Sequence, residues 1–358
     1  MVHLGNITVG EGHPPVFMAE IGTFFNQDIR MAEDMVRRIR EIAQSAGTIP
    51  VILKGEVLHS AEICLDDDTM ETYQSKRGDR KQERYRDLIS RKVVNAEDYR
   101  KLFTLCRGYG LPVVLSVYDF EGADFAKDVG AVAIKIASSN IVHIPLIRYV
   151  GRLGLPVLID TGRASLAEVD TAVRTVRNAG CSQIIIEHSP DGHPAPPENH
   201  NMLLLRTYAQ TFGVPVGLSD HHNGEEMLYL AIGLGAALLE KNVSFTPDAL
   251  DQDLAFSMAL DELGNVLRRV RNCWVGLGRS YRDPANTKGL ISTSSRMGLV
   301  AKRPLGAGER LSPENVNFSF PCLGIGVQYF DQVSGWVVRN NIPQGGVIRW
   351  TDVVPESS

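Results

Sequence analysis

A (β/α)8 TIM barrel followed by a small β-rich module is the architecture the sequence predicts, and three observations carry it. Val- and Ile-rich apolar runs alternate with amphipathic stretches through the first three quarters of the chain, the pattern of β-α units around a parallel sheet. Eight such runs fit within about 275 residues, which suits a closed barrel better than an open doubly wound sheet. Beyond residue 278 the character changes to short apolar runs broken by Gly and Pro.

The strands are read in order from these runs. They are "VFMAEIG" (16–22), "PVILKG" (50–55), "PVVLSVY" (112–118) and "AVAIKIAS" (131–138), then "PVLIDTG" (156–162), "IIIEHSP" (184–190), "PVGLSDH" (215–221) and "ALLEKNV" (237–243). Helices are expected between them. In "SLAEVDTAVRTVRNAG" Ser165 is placed to cap the N-terminus, Glu168 to complete a capping box and Gly180 to stop the helix. No GxGxxG follows the first strand, so a dinucleotide fold has no support.

The connection over 56–94 is dense in charge and too long for a turn, so it reads as a solvated helix or a lid over the barrel mouth. The expected domains are the barrel over 1–278, a polar linker over 279–296 and the β-rich module over 297–358. A module of that size has little core of its own, which points to a docking partner.

Composition excludes several functions. With 358 residues, 44% hydrophobic, and a formal charge of -5, the chain has no basic footprint for nucleic acid or an anionic membrane. No run of eighteen apolar residues occurs, and no signal peptide is readable at the start. Five scattered cysteines without a CxxC pair read as free thiols in a cytoplasmic protein.

In such a barrel the carboxyl ends of the strands converge on one mouth, where chemistry is done. The strand-end residues are Glu20, Lys54, Ser116, Lys135, Ser138, Asp160, Thr161, Glu187, His188, Asp191, Ser219, Asp220, His221, Lys241 and Asn242. Three lysines, several acids and a histidine at one opening are costly as structural filler, because buried charges must be paired. That cost points to a site.

The order "AEIG", "ILKG", "IKIASSNIVHIPLI", "PVLIDTGRASLAEV", "EHSPDGHPAP", "VGLSDHHNG" and "LLEKN" resembles that of the sialic acid synthases and related nonulosonate synthases, including spore-coat polysaccharide proteins. The tail segments "VAKRPLGAGERLSPENV" and "IPQGGVIRWTDV" are similar to the antifreeze-protein-like (SAF) domain of those enzymes, so the resemblance covers nearly the full length. It implies an aldol-type condensation: C3 of phosphoenolpyruvate adds to the open-chain aldehyde of an N-acylated sugar, water attacks C2, and phosphate leaves. By position, Lys54, Lys135, Ser138 and Ser219 would contact phosphoenolpyruvate, with Ser116, Asp160, Thr161, His188 and Asp191 around that pocket. Glu20 and Asp253 would face the sugar, and Phe320 of the small domain would reach it in a domain-swapped homodimer. The implied cofactor is a divalent metal, manganese or magnesium, with His221 as a ligand.

Several positions depart from that pattern. Asn242 stands where the family has a second metal-binding histidine, and an amide oxygen binds manganese less well than imidazole does. His222 points to the other side of its strand. Phe24 and Phe25 replace polar residues, Phe320 replaces an arginine, Val117 replaces a threonine, and the loop after Ser116 is one residue shorter. Asp160 and Asp191 add negative charge to the expected phosphate pocket. These changes predict a less polar acceptor pocket and poor use of N-acetylmannosamine. Three readings stay open: a synthase with an unusual acceptor, a ketoacid aldolase using Lys135 as a Schiff base, and a catalytically silent binding subunit.

Overall fold

The computed structural model describes residues 1–47, 49–281 and 296–355. Its chain divides into two units, Met1–Gly278 and Arg279–Ser358. The first unit opens with an antiparallel hairpin, β1 (Val2–Leu4) and β2 (Ile7–Val9), that the alternation of runs does not predict. Then come β3 (Val16–Gly22), β4 (Val51–Glu56), the hairpin strands β5 (Met70–Gln74) and β6 (Arg80–Arg84), β7 (Val113–Val117) and β8 (Ala133–Ile136). The remaining strands are β9 (Val157–Asp160), β10 (Ile184–His188), β11 (Val216–Asp220) and β12 (Leu238–Ser244). Strands β3, β4 and β7 to β12 form one parallel sheet, and pairing of β11 with β12 and of β12 with β3 closes it into the expected barrel.

Helices wrap the outside. They are α1 (Ile29–Ala46), α2 (Tyr85–Ser90), α3 (Ala96–Gly108), α4 (Phe120–Asp128), α5 (Ile144–Val150), α6 (Leu166–Asn178), α7 (Leu204–Phe212), α8 (Glu226–Gly233) and α9 (Leu263–Leu277). The capping box of α6 forms as read: Ser165 accepts from the Glu168 backbone, and Glu168 accepts from Ser165 at 2.7 Å. Gly180 takes φ of 103° just beyond that helix, a conformation that suits glycine. None of the described helices is long and apolar enough to cross a membrane.

Strand periodicity decides which side chains reach the mouth. Val16, Met18, Ile52, Val114, Ala133, Leu158, Ile185 and Leu238 point into the barrel and pack with Val2, Leu4 and Val9, so the first hairpin plugs the barrel floor. The intervening residues, such as Phe17, Leu53, Leu115, Ile134 and Ile159, join the layer between strands and helices. Two residues beyond the last floor residue of each of these seven strands, on the same inward face, lie Glu20, Lys54, Ser116, Lys135, Asp160, Glu187 and Glu240.

The connection over 56–94 is neither simple helix nor bare lid. It folds into the β5-β6 hairpin followed by α2.

The second unit pairs Gly298–Ala301 with Val316–Ser319 and Val337–Val338 with Val353–Val354, both antiparallel. It has a core of its own, with Leu299, Leu305, Leu311, Ile325, Ile348 and Val353 among its buried members. The linker expected over 279–296 lies mostly outside the described residues.

Candidate functional site

Two lysines stand at the centre of the mouth, and both are nearly fully buried. Lys135 Nζ lies 2.6 Å from Glu240, 2.9 Å from Asp160 and 3.3 Å from Glu187, and it donates to Ser219 Oγ at 3.2 Å. Lys54 pairs with Glu20 and lies 3.6 Å from Glu240 and 3.7 Å from Glu56. Two ammonium groups therefore face five carboxylates. In a cluster this dry, some of the carboxylates must hold protons or be repelled.

The two lysines do not pull the five carboxyl groups equally. Burial raises Glu20 and Glu187 well above the ordinary carboxylate range, more than the nearby lysines lower them. Burial also opposes ionisation of Glu240, but Lys135 and Lys54 outweigh it and hold that carboxyl at about 2. Glu240 is thus the anion that bridges the two lysines. Burial opposes the charge on Lys54 and Lys135 too, yet the surrounding acids hold both above the usual lysine range.

Lys54, Lys135, Ser219, His221, Asn242 and Asp253 share a chamber of about 150 Å³. Glu56, Tyr118 and Asp253 also line an adjoining outer cavity of about 270 Å³, walled by Tyr85, Ile89 and Lys92. The insertion that carries α2 therefore builds the outer wall. The Tyr118 hydroxyl donates to Glu56 at 2.8 Å.

Most residues singled out in the sequence meet here. Glu20, Lys54, Lys135, Ser138, Asp160, Ser219, His221, Asn242 and Asp253 line the inner chamber, and Ser116 lies fully buried on the inward face with its Oγ unpartnered. Others point elsewhere. Thr161 and His188 sit on the outward face, where Thr161 donates to the Glu187 carbonyl at 3.1 Å and His188 packs beside Tyr208. Asp191 is exposed and pairs with Arg163 at 2.7 Å, so its charge does not line this chamber. Lys241 turns outward to Asp220 at 2.8 Å, which leaves the mouth two lysines instead of three.

The aromatic replacements need the same correction. Phe25 is buried in the outer core, and the Phe24 ring folds back over Gly22, so neither lines the two cavities. Phe320 is exposed on the second unit. The structure also adds residues the sequence reading passed over: Glu56, Tyr118, His193, Glu240 and Phe256 all line the inner chamber. Glu56 and Glu240 were recoverable from the period of two that runs from Lys54 and Asn242 along their strands.

A divalent ion would find two imidazoles in this chamber, His221 and His193. The His221 ring lies tilted against His193 at 4.2 Å between centroids and against Phe256 at 4.8 Å, with Nδ1 buried and unpartnered. Burial, then His193 and the lysines, keeps that imidazole neutral. The Asn242 amide donates to the Asp253 carbonyl at 3.3 Å. Among the described residues no three His, Cys, Asp or Glu side chains converge to hold a metal.

Comparison with known proteins places these features in context. A model of the NeuB family matches residues 41–282, and a model of the SAF domain matches residues 296–354. The N,N'-diacetyllegionaminic acid synthase of Legionella pneumophila is 25% identical over 344 residues, covering 94% of this chain and 94% of that one. The spore coat polysaccharide biosynthesis protein SpsE of Bacillus subtilis is 28% identical over 374 residues, covering 99% and 98%. The crystal structure of an N-acetylneuraminic acid synthetase from Leptospira borgpetersenii, 22% identical, superposes with a TM-score of 0.69 over 79% of this chain and 92% of that one, which shows the shared fold.

Proposed function

The chain belongs to the NeuB family, and from that premise we propose that it is a phosphoenolpyruvate-dependent synthase acting on the aldehyde of an N-acylated amino sugar. The observation that carries this reading is the pair of buried ammonium groups, Lys54 and Lys135, beside Ser219 in a chamber that opens into a second cavity. Relatives bearing synthase names for legionaminic and pseudaminic acids support the substrate class.

The chemistry asks for few groups. C3 of phosphoenolpyruvate forms the new bond to the aldehyde carbon while the aldehyde oxygen takes a proton; water then adds to C2, and inorganic phosphate leaves as the C2 carbonyl forms. Lys54, Lys135 and Ser219 bind the anion through charge-assisted hydrogen bonds. Glu20, whose carboxyl burial pushes well above the ordinary range, supplies the proton to the aldehyde oxygen. The divalent metal implied by the resemblance would be held by His221 and His193, where it would polarise the aldehyde.

The aldolase reading loses ground on electrostatics. A Schiff-base lysine must attack as a free amine, and three carboxylates around Lys135 hold it as ammonium. The reading of a silent subunit is settled by assay.

The test is phosphate release from phosphoenolpyruvate with a 2,4-diacetamido-2,4,6-trideoxyhexose, the six-carbon sugar left when the three-carbon pyruvate unit is taken from diacetyllegionaminic acid. One phosphate per sugar consumed is expected. A tenfold loss on adding EDTA would place a divalent metal in the mechanism, and less than a twofold change would leave the work to the side chains. No release with any N-acylated hexose leaves the silent subunit standing. We also propose that the second unit serves the barrel of a second copy, so solution scattering at micromolar concentration should return the mass of two chains; a single-chain mass would refute that part.

A further inference from the structure

Three loops above the mouth are tied together by one guanidinium. Arg91, just after α2, donates from Nη1 to Asp251 at 2.8 Å and to Asn26 at 2.9 Å, and from Nη2 to Asp251 again and to Glu83 at 2.8 Å. Asn26 in turn donates to Asp251 at 2.8 Å, and Lys92 lies 3.6 Å from the same carboxylate. Gln27 donates to the Ser90 carbonyl at 3.1 Å. One buried carboxylate therefore joins the loop after β3, the insertion after β4 and the loop after β12.

Backbone strain gathers at the same place. Of the five non-glycine residues with positive φ among those described, three sit in these loops: Asn26 at 42°, Gln27 at 69° and Asp253 at 65°. Such conformations persist where surrounding contacts over-determine them, and they cluster at ligand sites. Asp253 lies two residues beyond Asp251 and lines both cavities, and its carboxylate makes no hydrogen bond or ion pair among the described residues. On the other side of Arg91, Ile89 and Lys92 wall the outer cavity. The clamp therefore holds both walls of that cavity.

We propose that Arg91, acting through Asp251 and Asn26, is the positioning residue that fixes Asp253 and the α2 wall for acceptor recognition. It touches neither substrate. This proposal rests on the synthase reading, in which the outer cavity receives the sugar and the inner chamber receives phosphoenolpyruvate. A bidentate guanidinium is required because a lysine ammonium cannot bond both carboxylate oxygens and the Asn26 amide in one plane.

The test compares wild type with Arg91→Gln, Arg91→Lys and Asp251→Asn. For Arg91→Gln, the KM for the 2,4-diacetamido hexose should rise about tenfold or more, while the calorimetric Kd for phosphoenolpyruvate stays within twofold; Arg91→Lys should recover part of the loss. An unchanged sugar KM, or an equal loss of phosphoenolpyruvate affinity, overturns the positioning role. Hydrogen exchange separates this proposal from the function it rests on. Segment 246–258 should exchange at least tenfold faster in Arg91→Gln while β10 is unchanged. If the wild type binds no phosphoenolpyruvate the synthase reading fails, whereas unchanged exchange in 246–258 overturns the clamp itself.

Discussion

Replacing Lys135 with methionine should abolish phosphoenolpyruvate binding and lower the stability of the barrel unit by about 3–5 kcal/mol, the cost of removing one partner from a buried ion cluster. Lys135 is 2% exposed and lies within 3.3 Å of Asp160, Glu187 and Glu240. Methionine matches its aliphatic stem but leaves three carboxylates in a dry chamber with Lys54 as the nearest cation. Some would then take up protons, so the loss should shrink at acidic pH. Urea unfolding at pH 5 and pH 8 reads the stability, and calorimetry reads the binding. A variant that keeps wild-type stability at pH 8 would show that water, not Lys135, neutralises the cluster.

Glu187→Gln should act in the opposite direction. Glu187 is fully buried, and neither carboxylate oxygen has a hydrogen bond even though Lys135 is 3.3 Å away. Burial raises its pKa well above 4.5, so the folded state holds the proton more tightly than the unfolded chain does. The resulting stabilisation is complete below the unfolded value and is lost as pH rises through the folded one. Wild-type stability should therefore fall as pH climbs from about 5. The glutamine variant carries no titrating proton and should be more stable than wild type by about 1–3 kcal/mol at pH 8, the usual cost of an unsatisfied buried group. Its advantage should vanish near pH 4. An advantage that is equal at both pH values would place the gain in packing and contradict the proton argument.

The barrel was legible because Val- and Ile-rich strands recur at a spacing that only parallel β-α units produce, and the capping box at Ser165 and Glu168 formed as read. The floor hairpin escaped notice because "VHL" and "ITV" are too short to show a period. Direction was the harder part of the site. Lys241, Thr161 and His188 end their strands as Lys54 and Lys135 do, but one step of the pleat sends them to the outer face. Asp191 and His193 show a different limit. They lie two residues apart in one loop, where no period applies, and only His193 enters the chamber. The Arg91 clamp joins residues more than a hundred positions apart, so no local pattern could announce it.

The central claim is that the two acid-masked lysines form the phosphoenolpyruvate site, and calorimetric titration of phosphoenolpyruvate tests it most directly. Asp160 lies 2.9 Å from Lys135 and competes with the incoming anion for the same ammonium, whereas Asp191 is held by Arg163 outside the chamber. Serine at position 160 can still accept from the Gly162 backbone, which Asp160 now does at 3.1 Å. The account predicts saturable one-to-one binding by the wild type, about 10- to 100-fold tighter binding by Asp160→Ser, or about 1–3 kcal/mol, and no change in Asp191→Asn. Absence of saturable binding in both wild type and Asp160→Ser would contradict it, and the mouth would then be an acidic cluster that phosphoenolpyruvate does not enter.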